Sequence, residues 1–149
     1  MRTDPTCIFC KIVAGDVPCH RVAENEGALA FLDAQPLVEG HVLVVPKAHA
    51  AHVAELDDRA ASAVFRLVRD VTRAQRAGLA ADAVTIGIND GRAAGQVVPH
   101  VHVHLVPRYE GDGGTNVHAI VRGEVRRSPE EIVAALAAAG TSGDPGASA

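Results

Sequence analysis

Residues 99–108 read Pro-His-Val-His-Val-His-Leu-Val-Pro-Arg, a strict alternation of imidazole and aliphatic side chains. An extended strand points successive side chains to opposite faces. The run therefore predicts a strand over 101–106, ended by Pro107, with Val101, Val103 and Leu105 facing a core and His100, His102 and His104 sharing the other face. Rungs on one face stand roughly 6–7 Å apart, close enough to act on one phosphate-sized group and too far apart to hydrogen-bond directly. One histidine in such a place reads as a solvated polar face. Three in register, flanked by residues suited to a buried strand, point to a site.

The other periodicities set this strand in a mixed fold. Residues 9–14 predict a helical turn closed by Gly15, and 20–24 with 28–33 predict a hairpin turned at Asn25–Gly27. Residues 41–45 are apolar and β-branched, a buried strand that stops at Pro46. From Asp58 to Ala77 the apolar positions Ala61, Val64, Phe65, Val68 and Val71 recur at helical spacing, with Asp57 or Asp58 as N-cap and Gly78 just past the end. A β-rich run at 84–89 and the glycine-bearing turn GRAAGQ precede the histidine strand, which implies two consecutive strands sharing a tight loop. Ser128, Pro129 and Glu131 supply the N-cap, first position and capping box of a second helix that runs through Ile132, Val133 and Leu136 to Gly140. The expected organisation is one domain over 1–139 and a disordered tail over 140–149.

Composition excludes several function classes. A chain of 149 residues buries roughly two-thirds of its extended surface, so it needs neither a disulfide nor a metal merely to fold. Eighteen acidic against fourteen basic residues give a net charge of −4, and there is no Trp, one Tyr and three Phe. Neither a positive field for a phosphate backbone nor an aromatic stacking platform exists, so no nucleic-acid partner is expected, and the core must be Val, Ile, Leu and Ala. The chain lacks a secretory signal pattern and an apolar run of about 18 residues, which predicts a cytoplasmic protein with no membrane partner. Cys7, Cys10 and Cys19 are an odd number with one C-x-x-C pair, better suited to metal or redox chemistry than to a structural disulfide.

The run His100-Val101-His102-Val103-His104-Leu105-Val106 resembles the signature of the histidine triad (HIT) family, His-apolar-His-apolar-His followed by two apolar residues. The segments CIFCKIVAGDVP, AFLDAQPLVEGHVLVVPKAH and NDGRAAGQVVPHVHVHLVPR also look like family blocks in family order, so the resemblance covers residues 7–108. It is similar to the small nucleoside phosphoramidase branch that carries an N-terminal C-x-x-C. The resemblance implies the α+β HIT fold, an antiparallel sheet with one long helix and a C-terminal helix, paired as a homodimer. It also implies attack on the α-phosphorus of a purine nucleoside 5′-phosphoramidate or related nucleotide, releasing the nucleoside monophosphate. Cleavage of diadenosine polyphosphates and a nucleotide-binding regulatory module with vestigial hydrolysis are the alternative readings.

Such chemistry needs a nucleophile, anion stabilisers and a proton source. Imidazole as a class is neutral and nucleophilic near neutral pH, and by resemblance His102 forms a covalent nucleotidyl-histidine, its other ring nitrogen protonated and tied to an oxygen such as a backbone carbonyl. His104 would hydrogen-bond phosphate oxygens. His41 would support the triad, or else is an ordinary strand-end histidine. Gly91 and Gly95 would let backbone N–H groups approach an anion, and by resemblance Asn89, Gly95 and Gln96 line the ribose and phosphate side. Asp33 would accept ribose hydroxyls, or else forms the turn before Pro36. Val97 is a departure within the nucleotide site, because many relatives place Ser or Thr after the glutamine and a hydroxyl contact is missing here. A C-x-x-C knuckle requires two further ligands for tetrahedral zinc, which His49 and His100 offer. The resemblance implies a structural Zn2+ on Cys7, Cys10, His49 and His100 that clips the N-terminal segment to the first rung, with free thiols as the alternative. Cys19 and His52 acquire no role, and His20 and His118 read as surface residues.

Overall fold

The computed structural model describes residues 2–140, which group into two compact units divided after Gly114. The first unit holds β1 (Arg21–Glu24), β2 (Ala28–Leu32), β3 (Val42–Pro46), β4 (Ala83–Gly87) and β5 (Val103–Arg108) in one antiparallel sheet of order β1-β2-β3-β5-β4. Two α-helices accompany it, α1 (Ile8–Ala14) and α2 (Asp58–Gly78).

Alternation along β2 and β3 explains why both are apolar throughout. Ala28, Ala30, Val42 and Val44 face α2, where Ala63, Val64, Leu67, Val68 and Val71 complete one core cluster with Val103 and Leu105. Leu29, Phe31, Leu43 and Val45 face the other way and are covered by Cys7, Phe9, Cys10 and Ile12 of the α1 segment. The central strands are thus buried on both faces, as near-continuous hydrophobic runs require. The hairpin is joined to α2 by Asn25, whose Oδ1 accepts from the Gly27 and Ala28 amides and whose Nδ2 donates to the Ala63 carbonyl at 2.8 Å. Asp57 caps α2 by accepting from the Ala60 amide.

Several sequence expectations are corrected here. Phe65 is 54% exposed, because the buried stripe runs through Val64, Leu67, Val68 and Val71 and leaves Phe65 on the flank. β4 and β5 are adjacent but not joined by a tight loop, since residues 88–102 lie between them. β5 begins only at Val103: the Val101 amide donates to the Ala50 carbonyl at 2.7 Å, outside the sheet ladder. Pro107 lies inside β5 and does not end it. β3 pairs only with Val103–Leu105, so no ladder bond on that side needs an N–H at Pro107.

The second unit contains α3 (Pro129–Ala138), with the Ser128–Glu131 capping box formed and none of its side chains buried. Most of the tail expected over 140–149 lies outside the described residues. No helix among the described residues is long and apolar enough to cross a membrane.

A Cβ added at Gly27 would stand 2.7 Å from the Ala63 Cβ, where hairpin and helix meet. Gly27→Ala is expected to lower unfolding stability by about 1–3 kcal/mol through overpacking. Urea titration checks this, and an unchanged midpoint would contradict the close approach.

Candidate active site and metal centre

Neutral imidazole carries one donor and one acceptor nitrogen, so what each ring can do is decided by its neighbours. His100 is fully buried, with Nε2 2.9 Å from the Pro46 carbonyl. A carbonyl only accepts; Nε2 therefore holds the proton and Nδ1 presents a lone pair. His102 Nδ1 lies 2.7 Å from the His100 carbonyl, so Nδ1 donates and Nε2 is bare. At His41 the Leu37 amide donates to Nδ1 at 3.2 Å, which places the proton on Nε2. That Nε2 donates to His104 Nδ1 at 3.0 Å, leaving His104 with its proton on Nε2. Adjacent rungs thus carry opposite functions, a lone pair on His102 and a donor on His104.

The His102 and His104 ring centroids are 5.0 Å apart at 69°, closer than the spacing expected along a flat strand; His102 lies just before β5 begins. Phe9 of α1 stands edge-on to His100 and His102, at 5.8 and 5.3 Å between centroids. Burial lowers the His104 pKa to about 4, with help from the neighbouring imidazoles and opposition from Asp33. Burial likewise brings His100 to about 4 against the effect of its bond to Pro46. His41 is also lowered by burial, although Asp33 works the other way. His100, His41 and His104 are therefore neutral at ordinary pH, as the bonding pattern requires.

The lone pair of His100 Nδ1 faces two sulfurs, Cys7 Sγ at 3.4 Å and Cys10 Sγ at 3.7 Å, while His49 Nδ1 lies 3.4 Å from Cys10 Sγ. One ligand atom from each of these four residues falls within 4.8 Å of all the others. Bonds of about 2.3 Å to sulfur and 2.1 Å to nitrogen give a tetrahedron with S–N edges of about 3.6 Å, so the set fits a zinc ion. Burial pushes the Cys10 thiol up, and two buried thiolates need a cation beside them. Around the four ligands, the Asp4 amide donates to Cys10 Sγ at 3.4 Å and the His49 amide donates to the Arg2 carbonyl at 2.8 Å. Asp33, His41 and His104 also cluster, but there a shared proton and the Leu37 amide occupy the nitrogens.

The turn before the ladder has Gly91 and Gly95 at φ +94° and +93°. Gln96 braces this turn: Oε1 accepts from the Gly91 amide at 2.8 Å and Nε2 donates to the Ala51 carbonyl at 2.9 Å. Its side chain is therefore committed to shaping the loop. Asn89 is exposed beside Gly95, and Val97 is 90% exposed. Asp33 Oδ1 accepts from the Gln35 amide at 2.9 Å, and its Oδ2 stands 3.6 Å from His41 Nδ1, so it forms the turn and borders the site at once. Sequence reasoning missed the Leu37 amide and the Pro46 carbonyl, which as backbone groups leave no signature. It also missed a role for His52, whose Nδ1 lies 3.0 Å from Asp90 Oδ1 beside the glycine turn. Cys19 packs half-buried under α1, and His20 and His118 are exposed.

A family model described as HIT domain matches residues 14–111. Adenosine 5′-monophosphoramidase hnt1 of Schizosaccharomyces pombe is 41% identical over 131 residues, covering 85% of this chain and 96% of its own. The crystal structure of a member of the HIT family of proteins from Bacillus subtilis superposes with a TM-score of 0.78 at 37% identity, covering 93% of this chain and 99% of that one. A zinc-bound histidine triad family protein from Mycobacterium smegmatis gives a TM-score of 0.69 at 36% identity, covering 91% and 98%. The ladder, the five-stranded sheet that holds it and these matches across most of each chain agree: this protein belongs to the HIT family.

Proposed function

We propose that the protein is a nucleotide hydrolase that cleaves purine nucleoside 5′-phosphoramidates and related nucleotides through a covalent nucleotidyl-histidine intermediate. The observation that carries this reading is the hydrogen-bond pattern of adjacent rungs, from which a bare Nε2 on His102 and a protonated Nε2 on His104 follow. The His102 lone pair forms an N–P bond to the α-phosphorus as the bond to the leaving amine breaks, and the departing nitrogen takes its proton from solvent water. The ring gains positive charge in this step, and its Nδ1–H bond to the His100 carbonyl strengthens. His104 donates from Nε2 to a phosphoryl oxygen. Water then attacks phosphorus, the N–P bond breaks, and nucleoside monophosphate leaves with His102 restored. The activity in the name of the Schizosaccharomyces pombe relative supports this substrate class.

The proposal includes a structural zinc ion on Cys7, Cys10, His49 and His100, supported by the donor set and by the zinc-bound Mycobacterium smegmatis relative. When bound, it neutralises the thiolates and fixes His100, whose own carbonyl holds His102. It also includes a homodimer, for which the open edge of β4, with Ile86 exposed, leaves room.

His102→Ala is expected to lose several orders of magnitude in kcat on an adenosine phosphoramidate while adenosine monophosphate binding changes little. His104→Ala should lose roughly 10²–10³. Single-turnover kinetics and calorimetry check both, and a His102→Ala rate within about tenfold of wild type would contradict the assignment.

Elemental analysis of protein purified without added metal should find about one zinc per chain. Cys7→Ser with Cys10→Ser should abolish it and lower the melting temperature. An unchanged melting temperature and rate would mean these residues hold no structural ion.

Acid should destabilise the fold through the buried rings. His104 stays neutral down to about 4 in the folded state, whereas an unfolded histidine protonates near about 6.5. The unfolded chain therefore binds more protons between these values, and stability falls as pH drops through that window. Melting curves of wild type and His104→Gln should show the shallower pH slope in the variant; equal slopes would contradict it.

A further inference from the structure

We infer that Gln75, on α2 and outside the ladder, is a positioning residue that holds His104 in its phosphate-donating form; this rests on the role of His104 proposed above. The buried face of α2 is otherwise Ala63, Val64, Leu67, Val68 and Val71, and Gln75 continues that stripe four residues after Val71 while being 3% exposed. A buried amide costs stability unless its groups are bonded. Here Nε2 donates to the Gly40 carbonyl at 2.9 Å and to the Leu105 carbonyl at 3.0 Å, and both partners being acceptors fixes which end of the amide is NH2. Oε1 remains buried without a partner. An aliphatic side chain would suit the helix alone better, so the two donors are the feature to explain.

The two carbonyls belong to the residue before His41 and the residue after His104. Register between β3 and β5 ends at the pair Val42 and Leu105, so His41 lies just beyond the last ladder pair that could set its distance from β5. Gln75 supplies the missing cross-link at that point. Gly40 makes the approach: its φ is +78°, and a Cβ there would collide with the Leu79 side chain at the end of α2. The outcome of this clamp is the 3.0 Å contact from His41 Nε2 to His104 Nδ1. Without it the rings separate, His104 Nδ1 loses its donor, and the tautomer with a bare Nε2 competes. That tautomer cannot donate to a phosphoryl oxygen.

The test uses the full chain. In the wild type both Gln75 side-chain N–H protons should exchange slowly with water by NMR, and fast exchange overturns the clamp without any variant. Gln75→Met and Gln75→Leu keep bulk and remove the donors. In ligand-free protein, long-range 1H–15N spectra should show His104 moving from the Nε2–H form to a mixture, while His102 keeps its proton on Nδ1. With an adenosine phosphoramidate, kcat should fall about tenfold, since small misplacements of a reacting group are costly, and KM should change less than about threefold. Thr72→Val, which removes another buried polar group of α2, should leave the His104 spectrum and kcat as in wild type. An unchanged His104 tautomer, or kcat within about twofold of wild type beside a shifted tautomer, overturns the inference. If the wild type does not turn over the phosphoramidate, the proposed function fails, and the spectra still decide the clamp.

Discussion

A neutral imidazole buried away from water must find an acceptor for its one N–H and use for its one lone pair, and the first unit is organised around meeting that demand. Among the described residues the buried polar side chains are His41, Gln75, His100 and His102. Each of the four is hydrogen-bonded to a backbone group of the ladder or of the segments beside it. The Pro46 carbonyl sets His100, the His100 carbonyl sets His102, the Leu37 amide sets His41, and His41 sets His104. Chemical polarity along the ladder follows from backbone positions, so the fold itself decides which ring presents a lone pair and which an N–H.

The double-faced sheet makes those backbone positions rigid. Small residues on β2 admit α2 from one side, and Leu29 and Phe31 fill the α1 side. α1 carries Phe9 edge-on to two rungs, and its segment supplies two of the four proposed zinc ligands. α2 reaches the opposite end of the ladder through Gln75. The three rungs are thus held by different parts of the chain, His100 by the cysteine segment, His102 by the ladder's own carbonyl and His104 by the loop before β3.

Much of this was legible in the sequence because periodicity reports burial. The capping signals at Asp57 and Ser128, the turn at Asn25–Gly27 and the alternation from Val103 to Val106 each name a local geometry that the chain adopts. The C-x-x-C pair with His49 and His100 was legible as a donor set, and the structure brings these residues together. Other features depend on partners distant in sequence. That β5 begins at Val103 follows from the Val101 amide, which bonds to the Ala50 carbonyl outside the ladder, and Pro107 is tolerated because β3 does not extend beside it. The tautomers rest on backbone groups, and the side-chain bonds of Gln96 and Gln75 have no sequence signature because their partners are carbonyls distant along the chain.

The central claim is that a lone pair on His102 attacks phosphorus, so that the substrate is cleaved by two successive displacements. Each in-line displacement inverts the configuration at phosphorus, and two restore it. The direct measurement is the stereochemical course of hydrolysis of an adenosine 5′-phosphoramidate made chiral at the α-phosphorus with sulfur and oxygen isotopes, read by 31P NMR of the product. Overall retention is the predicted result. Inversion would mean that water attacks the substrate directly and that no nucleotidyl-histidine lies on the path.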